Sequence, residues 1–180
     1  MANNLIITIG RQYGSGGREI GRKLALRLGI PFYDRELISR AAKKSGFSED
    51  LFEQLDKRAT NSLLYSLTMF GSTGLNGMSL TDQLFLAQAN IIREIADSGP
   101  AVLVGRCADH VLREYENRFD FFITGSVDDR LQRIQTHDDY ELSGKSPRAA
   151  LEKMDKQRST HYNYYTGKVW GKSDHYDLCI

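Results

Sequence analysis

Residues 7–21 decide how this chain folds, and they read Ile7-Thr8-Ile9-Gly10-Arg11-Gln12-Tyr13-Gly14-Ser15-Gly16-Gly17-Arg18-Glu19-Ile20-Gly21. The apolar run 5–9 predicts a strand, and four glycines follow within residues 10–17. Ile20, Leu24 and Leu28 then recur every fourth residue, which predicts a helix with one apolar face. Glycines let successive backbone N–H groups turn towards one point, and the first turn of a helix adds partial positive charge. The order strand, glycine turn, helix therefore predicts a cradle for phosphate groups.

This turn departs from the usual nucleotide-binding motif. A P-loop ends in Gly-Lys-Ser or Gly-Lys-Thr, whereas here Gly16 is followed by Gly17 and Arg18. Arg18 is the candidate to replace the lysine, because a guanidinium also matches phosphate oxygens. Ser15 is a weak substitute for the hydroxyl that holds Mg²⁺, so the metal ligands stay unassigned. The alternative interpretation is that the glycines merely end a strand and begin a helix.

Composition limits the classes of function. The chain has 180 residues, 41% of them hydrophobic, and a net charge of +1. This indicates one globular domain, residues 1–180, without a general field that attracts nucleic acid or membrane. We expect small-molecule partners, no nucleic acid, no membrane and a cytoplasmic location. Cys107 and Cys179 are expected to be buried free thiols, and the four histidines show no metal-ligand spacing.

Strand and helix patterns alternate along the chain. Apolar runs predict strands at 5–9, 31–34, 101–104, 119–124 and 176–180, and helices are predicted at 17–28, 35–44, 81–96, 127–135 and 147–164. Near-continuous apolar strands are typical of parallel sheets that are covered on both faces. The alternation therefore predicts a three-layer, doubly wound α/β fold.

Two segments interrupt the alternation. Residues 46–80 begin with a helix signal at Ser48 and continue into a glycine-rich stretch without periodicity, which predicts a mobile insert. Residues 137–146 are polar and lie between two predicted helices. We interpret the second segment as a lid loop.

Candidate ligand-binding side chains follow the strands. Arg106 comes directly after the strand at 101–104, at the carboxyl edge where ligands bind in open α/β sheets, and Asp109 is close behind it. The alternative for Arg106 is a surface ion pair with Glu94 or Asp109. Asp34 likewise ends a strand and Arg40 lies in the next predicted helix, although Asp34 could serve only as the N-cap of that helix.

Basic residues of the last two helices form the remaining candidates. Arg130 and Arg133 lie three residues apart on one helix, and Arg158 lies on the other beside Asp155. Arginines that flank a lid loop could neutralise charge during phosphoryl transfer. The alternative is that they are solvated helix charges. The aromatic-rich stretch 161–170 is interpreted as packing against the sheet.

Together these motifs resemble the cytidylate kinase-like family of P-loop nucleotide kinases over nearly the whole chain. Gly14-Ser15-Gly16 is similar to the first three residues of their Gly-Ser-Gly-Lys loop. Asp34 and Arg40 have the separation of the Asp and Arg in their Asp-Ser-Gly-x-x-x-Arg element, without the Ser-Gly. Gly105-Arg106 is similar to their Gly-Arg-Asp, with Cys107 in the place of the Asp.

The resemblance also implies a fold and an activity. It implies a five-stranded parallel sheet in the order 2-3-1-4-5, with residues 46–80 as the monophosphate-binding insert. The lid arginines of the family look like Arg130, Arg133 and Arg158. The donor would be ATP with Mg²⁺, and the acceptor CMP or a related nucleoside monophosphate. The implied donor-binding residues are Gly14, Ser15, Gly16, Gly17, Arg18 and Glu19, the acceptor-binding residues are Asp34, Arg40, Arg106 and Asp109, and the catalytic residues are Arg18, Arg130, Arg133 and Arg158.

Two other functions remain open from the sequence. Without the lysine, the chain could be a catalytically weak P-loop protein that binds nucleotide and regulates. The pattern Gly10-x-x-x-Gly14-x-Gly16 with Tyr164-x-x-x-Lys168 also looks like a short-chain dehydrogenase that uses NAD(P). Against the dehydrogenase, only Asp34 stands where a ribose-binding residue is expected.

Overall fold

The structure of the protein is a computed structural model that describes residues 4–34, 79–137, 140 and 146–180. The predicted helix 35–44 with Arg40, nearly all of the insert 46–80 with its helix signal at Ser48, and most of the lid loop 137–146 lie outside the described residues. No helix in the described part of the chain combines the length and the apolar character needed to cross a membrane.

The described elements alternate as the sequence predicts. In chain order they are β1 (Ile6–Arg11), α1 (Gly17–Leu28), β2 (Phe32–Tyr33), α2 (Leu80–Ser98), β3 (Ala101–Val104), α3 (Ala108–Val111), β4 (Arg118–Ile123), α4 (Val127–Thr136), α5 (Pro147–Thr166), a short 3-10 turn (Ser173–His175) and β5 (Leu178–Cys179). Helix α1 and strand β3 have the predicted bounds, whereas α3 was not predicted. A four-residue helix is too short to show a period.

The five strands form one parallel sheet in the order β2-β3-β1-β4-β5. This confirms the predicted order 2-3-1-4-5. In the centre, Ile9 of β1 lies between Val104 of β3 and Phe121 of β4. Because the strands are parallel, their carboxyl ends meet at one edge, and the turns that follow β1 and β3 are brought together there.

The central strands have apolar residues on both faces because helices cover both. Ile6 and Leu103 pack with α2, in a cluster that includes Ile92. Ile9 and Val104, on the opposite face, pack in the cluster that contains Ala25 of α1. Each of these large side chains stabilises the fold by roughly 1.5–3 kcal/mol when fully buried. The near-continuous apolar runs in the sequence thus follow from burial on two sides.

The single acidic residue within the β4 run is buried and paired. Asp120 is 5% exposed, accepts a 2.6 Å hydrogen bond from the Thr8 hydroxyl and forms an ion pair with Arg118 at 2.7 Å. Because the carboxylate bonds to both Thr8 and Arg118, the cost of burying its charge within the strand is offset.

The last strand differs from expectation. The run 176–180 predicts a core strand, but β5 has two residues, and Leu178 is 48% exposed. Cys107 is buried as expected, whereas Cys179 is exposed, so that prediction was wrong. The reason is position: β5 is at the edge of the sheet and pairs only with β4.

Candidate functional site

The glycine turn between β1 and α1 adopts backbone conformations that require glycine. Gly14 has φ +79° and Gly16 has φ +77°, in the left-handed region that other residues rarely enter. A Cβ added to Gly14 would lie 2.7 Å from the carbonyl oxygen of Arg130. Gly16 is the N-cap of α1, and the first helical bond runs from the Ile20 N–H to its carbonyl oxygen at 3.0 Å. The N–H groups ahead of Ile20 have no acceptor within the helix, which makes this end suitable for an anion.

A cavity of about 100 Å³ lies against this turn. Its lining combines the turn and the first turn of α1 with side chains from α4, α5 and the segment after α4; the residues are Arg11, Gln12, Tyr13, Gly14, Gly16, Gly17, Arg18, Glu19, Arg133, His137, Tyr140 and Arg158. Four of these are arginines, and Glu19 is the single carboxylate among them. The cavity is therefore rich in the groups that bind phosphate.

Arg130 of α4 is buried against the glycine turn and bonds to its backbone. It is 4% exposed, donates from Nε to the Tyr13 carbonyl oxygen at 2.7 Å and forms an ion pair with Asp155 of α5. Asp155 in turn accepts the Tyr13 N–H at 2.7 Å. The interpretation of Arg130 as a solvated helix charge is therefore wrong, because the side chain is buried against the turn.

Arg133 and Arg158 also lie at the turn. Arg133 pairs with Glu19, and its Cζ lies 3.0 Å from the position of a Cβ on Gly16. Arg158 donates to the Arg11 carbonyl oxygen at 3.0 Å and lies over the Tyr13 ring, 5.4 Å from its centroid. A hydrogen bond from Lys23 and the charge of Arg133 lower the pKa of Glu19. The structure thus brings all three predicted lid arginines to the glycine turn.

Arg18 and Asp34, predicted for different substrates, form one ion pair. Arg18 approaches the same carboxylate oxygen with Nε at 2.8 Å and Nη2 at 2.7 Å. Asp34 is 5% exposed, and the pair joins the first turn of α1 to the end of β2. Ser15 donates its hydroxyl to the Gln12 carbonyl oxygen at 2.8 Å. Among the described residues there is no cluster of three His, Cys, Asp or Glu side chains that could hold a metal ion.

A second cavity, of about 60 Å³, lies at the ends of β1 and β3. It is lined by Thr8, Ile9, Gly10, Arg11, Gly105, Arg106, Cys107, Ala108, Asp109, Arg158, His161, Tyr162, Trp170 and Tyr176. Gly105, Arg106 and Cys107 are all left-handed, with φ +79°, +57° and +55°. For the two residues with a Cβ this conformation is strained, and such strain clusters at functional sites.

Asp109 is hydrogen-bonded inside this second cavity. Its carboxylate accepts the Tyr162 hydroxyl at 2.6 Å, and Tyr162 is 5% exposed. Burial raises the pKa of Asp109, although the bond from Tyr162 acts in the opposite direction. Burial and the charge of Asp109 raise the pKa of Tyr162, and the same two causes raise that of Tyr176 to about 12. Burial also raises the pKa of the Cys107 thiol, which therefore stays protonated.

Two residues at the cavities, Arg11 and Tyr162, are not among those that the sequence patterns predict. Arg11 lines both cavities; its place at the carboxyl end of β1 is a signal that could have identified it, as it did for Arg106. Tyr162 was assigned to packing within 161–170, and nothing in its sequence context indicates the bond to Asp109, which is 53 residues away.

The profile of the cytidylate kinase-like family matches residues 6–180. This chain belongs to the cytidylate kinase-like family. Among curated proteins, none matches this sequence.

Solved structures give the same fold for this cytidylate kinase-like chain. An uncharacterized protein from Eubacterium ventriosum ATCC 27560 is 30% identical, with a TM-score of 0.69 over 98% of this chain and 86% of the other. A shikimate kinase from Bacteroides thetaiotaomicron is 14% identical, with a TM-score of 0.57 over 98% and 85%. A shikimate kinase from Acinetobacter baumannii in complex with shikimate is 17% identical, with a TM-score of 0.50 over 98% and 82%. The parallel five-stranded sheet is thus that of the P-loop kinases.

P-loop kinases generally use ATP and Mg²⁺, and the glycine turn fits the phosphate part of this pair. A Cβ at Gly14 would collide with the backbone of Arg130, and one at Gly16 would press on the guanidinium of Arg133. Glycine at both positions therefore lets the turn pack closely against the arginines of α4. Mg²⁺ is usually held by substrate phosphates and water with one or two carboxylates. Glu19 is the carboxylate that lines the cavity.

Proposed function

We propose that this cytidylate kinase-like protein transfers the γ-phosphate of ATP to CMP or a related nucleoside monophosphate. The observation that carries the proposal is the pair of adjoining cavities at the carboxyl edge of the sheet, which share Arg11 and Arg158. One cavity contains the glycine turn and suits the donor phosphates. The other contains Arg106 and Asp109 and suits the acceptor.

The proposed mechanism consists of binding and orientation. The residues proposed to bind the donor are Gly14, Ser15, Gly16, Gly17, Arg18 and Glu19. Arg133 and Arg158 neutralise the charge that develops on the migrating phosphoryl group. Arg130 bonds to the backbone of Tyr13 in the glycine turn, so we assign it the role of positioning that turn. Bound ATP with Mg²⁺ supplies the phosphoryl group.

The acceptor side is proposed to consist of Asp34, Arg40, Arg106 and Asp109. Arg106 lies at the second cavity and provides a guanidinium for the acceptor phosphate. Asp109, hydrogen-bonded to Tyr162, provides an oxygen for a ribose or base group. Asp34 acts through Arg18, with which it is paired. The proposal includes a cytoplasmic location and nucleotide partners.

The test is an ADP-release assay with ATP and Mg²⁺ against CMP, other nucleoside monophosphates and small hydroxylated acids including shikimate. We expect turnover with CMP or a related monophosphate, and a loss of more than tenfold in kcat/KM for Arg106→Ala, since charge-assisted hydrogen bonds contribute about 1.5–3 kcal/mol. Glu152→Ala is the control, because Glu152 is exposed and lines neither cavity. Turnover with a hydroxylated acid alone would contradict the proposed acceptor.

A second function has one observation in its favour. The position of the P-loop lysine is held by Gly17, which is compatible with a protein that binds nucleotide and regulates without catalysis. Binding of ATP by calorimetry, with no ADP release for any acceptor, would establish this alternative.

A further inference from the structure

We propose that Arg11, the last residue of β1, supplies the phosphate-binding cation that this glycine turn lacks at Gly17. The inference rests on the proposed function and adds a residue that contacts the phosphates. It follows from the space around three residues: Gly17, Arg11 and Gly105.

The position of the missing lysine is closed to a side chain. Gly17 begins α1, and a Cβ added there would lie 2.5 Å from Cβ and 3.0 Å from Cγ of Arg11. It would also lie 3.3 Å from Cβ of Ile123. Real Cβ atoms do not approach other carbons as closely as 2.5 Å. Arg11 therefore occupies the room through which a lysine at position 17 would have to leave the helix.

The guanidinium end of the Arg11 side chain fits only because residue 105 is also a glycine. A Cβ on Gly105 would overlap Nη1 of Arg11 and lie 3.1 Å from its Cζ. Gly105 also has φ +79°, which favours glycine. The side chain of Arg11 thus extends from the start of α1 to the turn after β3, with a glycine at each end of its path.

The guanidinium of Arg11 lies against Gly105, a residue that lines the cavity proposed for the acceptor. Arg11 lines both the cavity at the glycine turn and the cavity at Arg106. A planar guanidinium can bind two oxygens of a phosphoryl group at once. Its place in the lining of both cavities thus suits Arg11 to contact a phosphoryl group between the two substrates.

The backbone of Arg11 is fixed, so its side chain starts from a defined point. Arg11 is in register with Ile123 of β4, and the next residue, Gln12, donates its N–H to the Ile123 carbonyl oxygen at 3.0 Å. The carbonyl oxygen of Arg11 accepts the bond from Arg158. Such support is what a preorganised phosphate ligand requires.

Calorimetry with ATP and with AMP tests the role of the charge. Arg11→Met keeps most of the aliphatic stem and removes the charge, and Arg11→Lys keeps a cation. We expect Arg11→Met to bind ATP about ten- to a hundredfold more weakly, with a smaller loss for AMP, and Arg11→Lys to recover most of the loss. Arg27→Met, on the exposed last turn of α1, is the matched control. Circular dichroism establishes that each variant is folded.

An exchange variant tests the steric part of the inference. Gly17→Lys alone is expected to lower the melting temperature, since the new side chain meets Arg11. Arg11→Gly together with Gly17→Lys removes that contact and puts a lysine at the usual place. We expect the double variant to melt higher than Gly17→Lys and to bind ATP more tightly than Arg11→Gly.

The two proposals fail in different ways. If the unmodified protein binds ATP and transfers phosphate, while Arg11→Met binds ATP as tightly, the role of Arg11 is overturned and the proposed function stands. Equal losses for ATP and AMP, without recovery in Arg11→Lys, would show a structural role instead. If the unmodified protein binds no ATP, both proposals are overturned.

Discussion

Asp109 is a carboxylate whose environment favours its protonated form. It lies in the second cavity against the buried Tyr162, and burial raises its pKa above the ordinary value of 3.8. A carboxyl whose pKa is higher in the folded state than in the unfolded state stabilises the fold at low pH. That contribution is lost as the pH rises from about 3.8 through the raised pKa.

Asp109→Asn removes this dependence. We expect the free energy of unfolding of the unmodified protein to fall relative to that of the variant as the pH rises from about 4 to about 7, with a slope of at most about 1.4 kcal/mol per pH unit. Urea unfolding of both proteins across this range measures the difference. Asp97→Asn is the matched control, because Asp97 accepts a tyrosine hydroxyl at 2.7 Å on the surface. A difference between Asp109→Asn and the unmodified protein that stays constant with pH would show that Asp109 does not titrate in this range.

Among the secondary-structure elements, helix α5 connects the glycine turn with α4. Asp155 on α5 binds both the Tyr13 N–H and Arg130 of α4. The side chains of this ion pair are 5% and 18% exposed. By comparison, Arg148 and Glu152 of the same helix form a pair with exposures of 69% and 65%. The two pairs have the same chemistry in different surroundings.

Removal of the two carboxylates should therefore have unequal effects. Asp155→Ala leaves a buried guanidinium and a buried N–H without their acceptor, and we expect a loss of about 3–5 kcal/mol in the free energy of unfolding. Glu152→Ala should lose less than about 1 kcal/mol, because exposed pairs contribute little. Chemical denaturation measures both, and similar losses for the two variants would contradict the assigned role of α5.

The elements were largely predictable, and their ends were less so. Helix α5 begins at residue 147 as predicted, and there the Ser146 hydroxyl accepts the Ala149 N–H and Pro147 holds the first helical position. Strands β2 and β5 are shorter than their apolar runs, because a pattern of hydrophobicity does not show where pairing with a neighbouring strand stops. The partners of Arg130, Arg133 and Arg158 could not be predicted, since ion pairs and hydrogen bonds across 25 or more residues depend on the packing of whole helices.

For the whole molecule, both cavities lie at one edge of the sheet and draw on residues that are far apart in the sequence. The lining residues come from β1, α1, α3, α4, α5 and the segments that follow β1, β3, α4 and α5. A ligand bound there stabilises the folded state as a unit. If ATP binds as proposed, a hundredfold excess over its Kd is expected to add about 2.7 kcal/mol, which for a chain of this size corresponds to a rise in Tm of roughly 5–10 °C.

Differential scanning fluorimetry measures this rise. We expect ATP to raise the Tm much more than adenosine at the same concentration, because the larger cavity offers arginines and backbone N–H groups that bind phosphate. Equal shifts for the two ligands would show that the phosphates do not occupy the cavity.

The location of the site was predictable from topology, and its composition was predictable in part. Glycines after β1 and Arg106 after β3 mark the carboxyl edge of the sheet in the sequence itself. The closeness of Arg11 to position 17, which leaves no room for a side chain there, was not predictable. It depends on differences of a few tenths of an ångström in how β1 and β4 pack against α1.

The arginines of the cradle have a consequence for how a ligand approaches. Arg18, Arg130 and Arg133 each have a carboxylate partner within the protein, so their charges are largely cancelled when seen from a distance. These three groups therefore exert little long-range electrostatic attraction on a polyphosphate in solvent. Anions are then distinguished on contact, where phosphate oxygens would compete with Glu19 for Arg133 and with Asp34 for Arg18. A chloride ion carries one charge on one atom and could replace only one of these carboxylates.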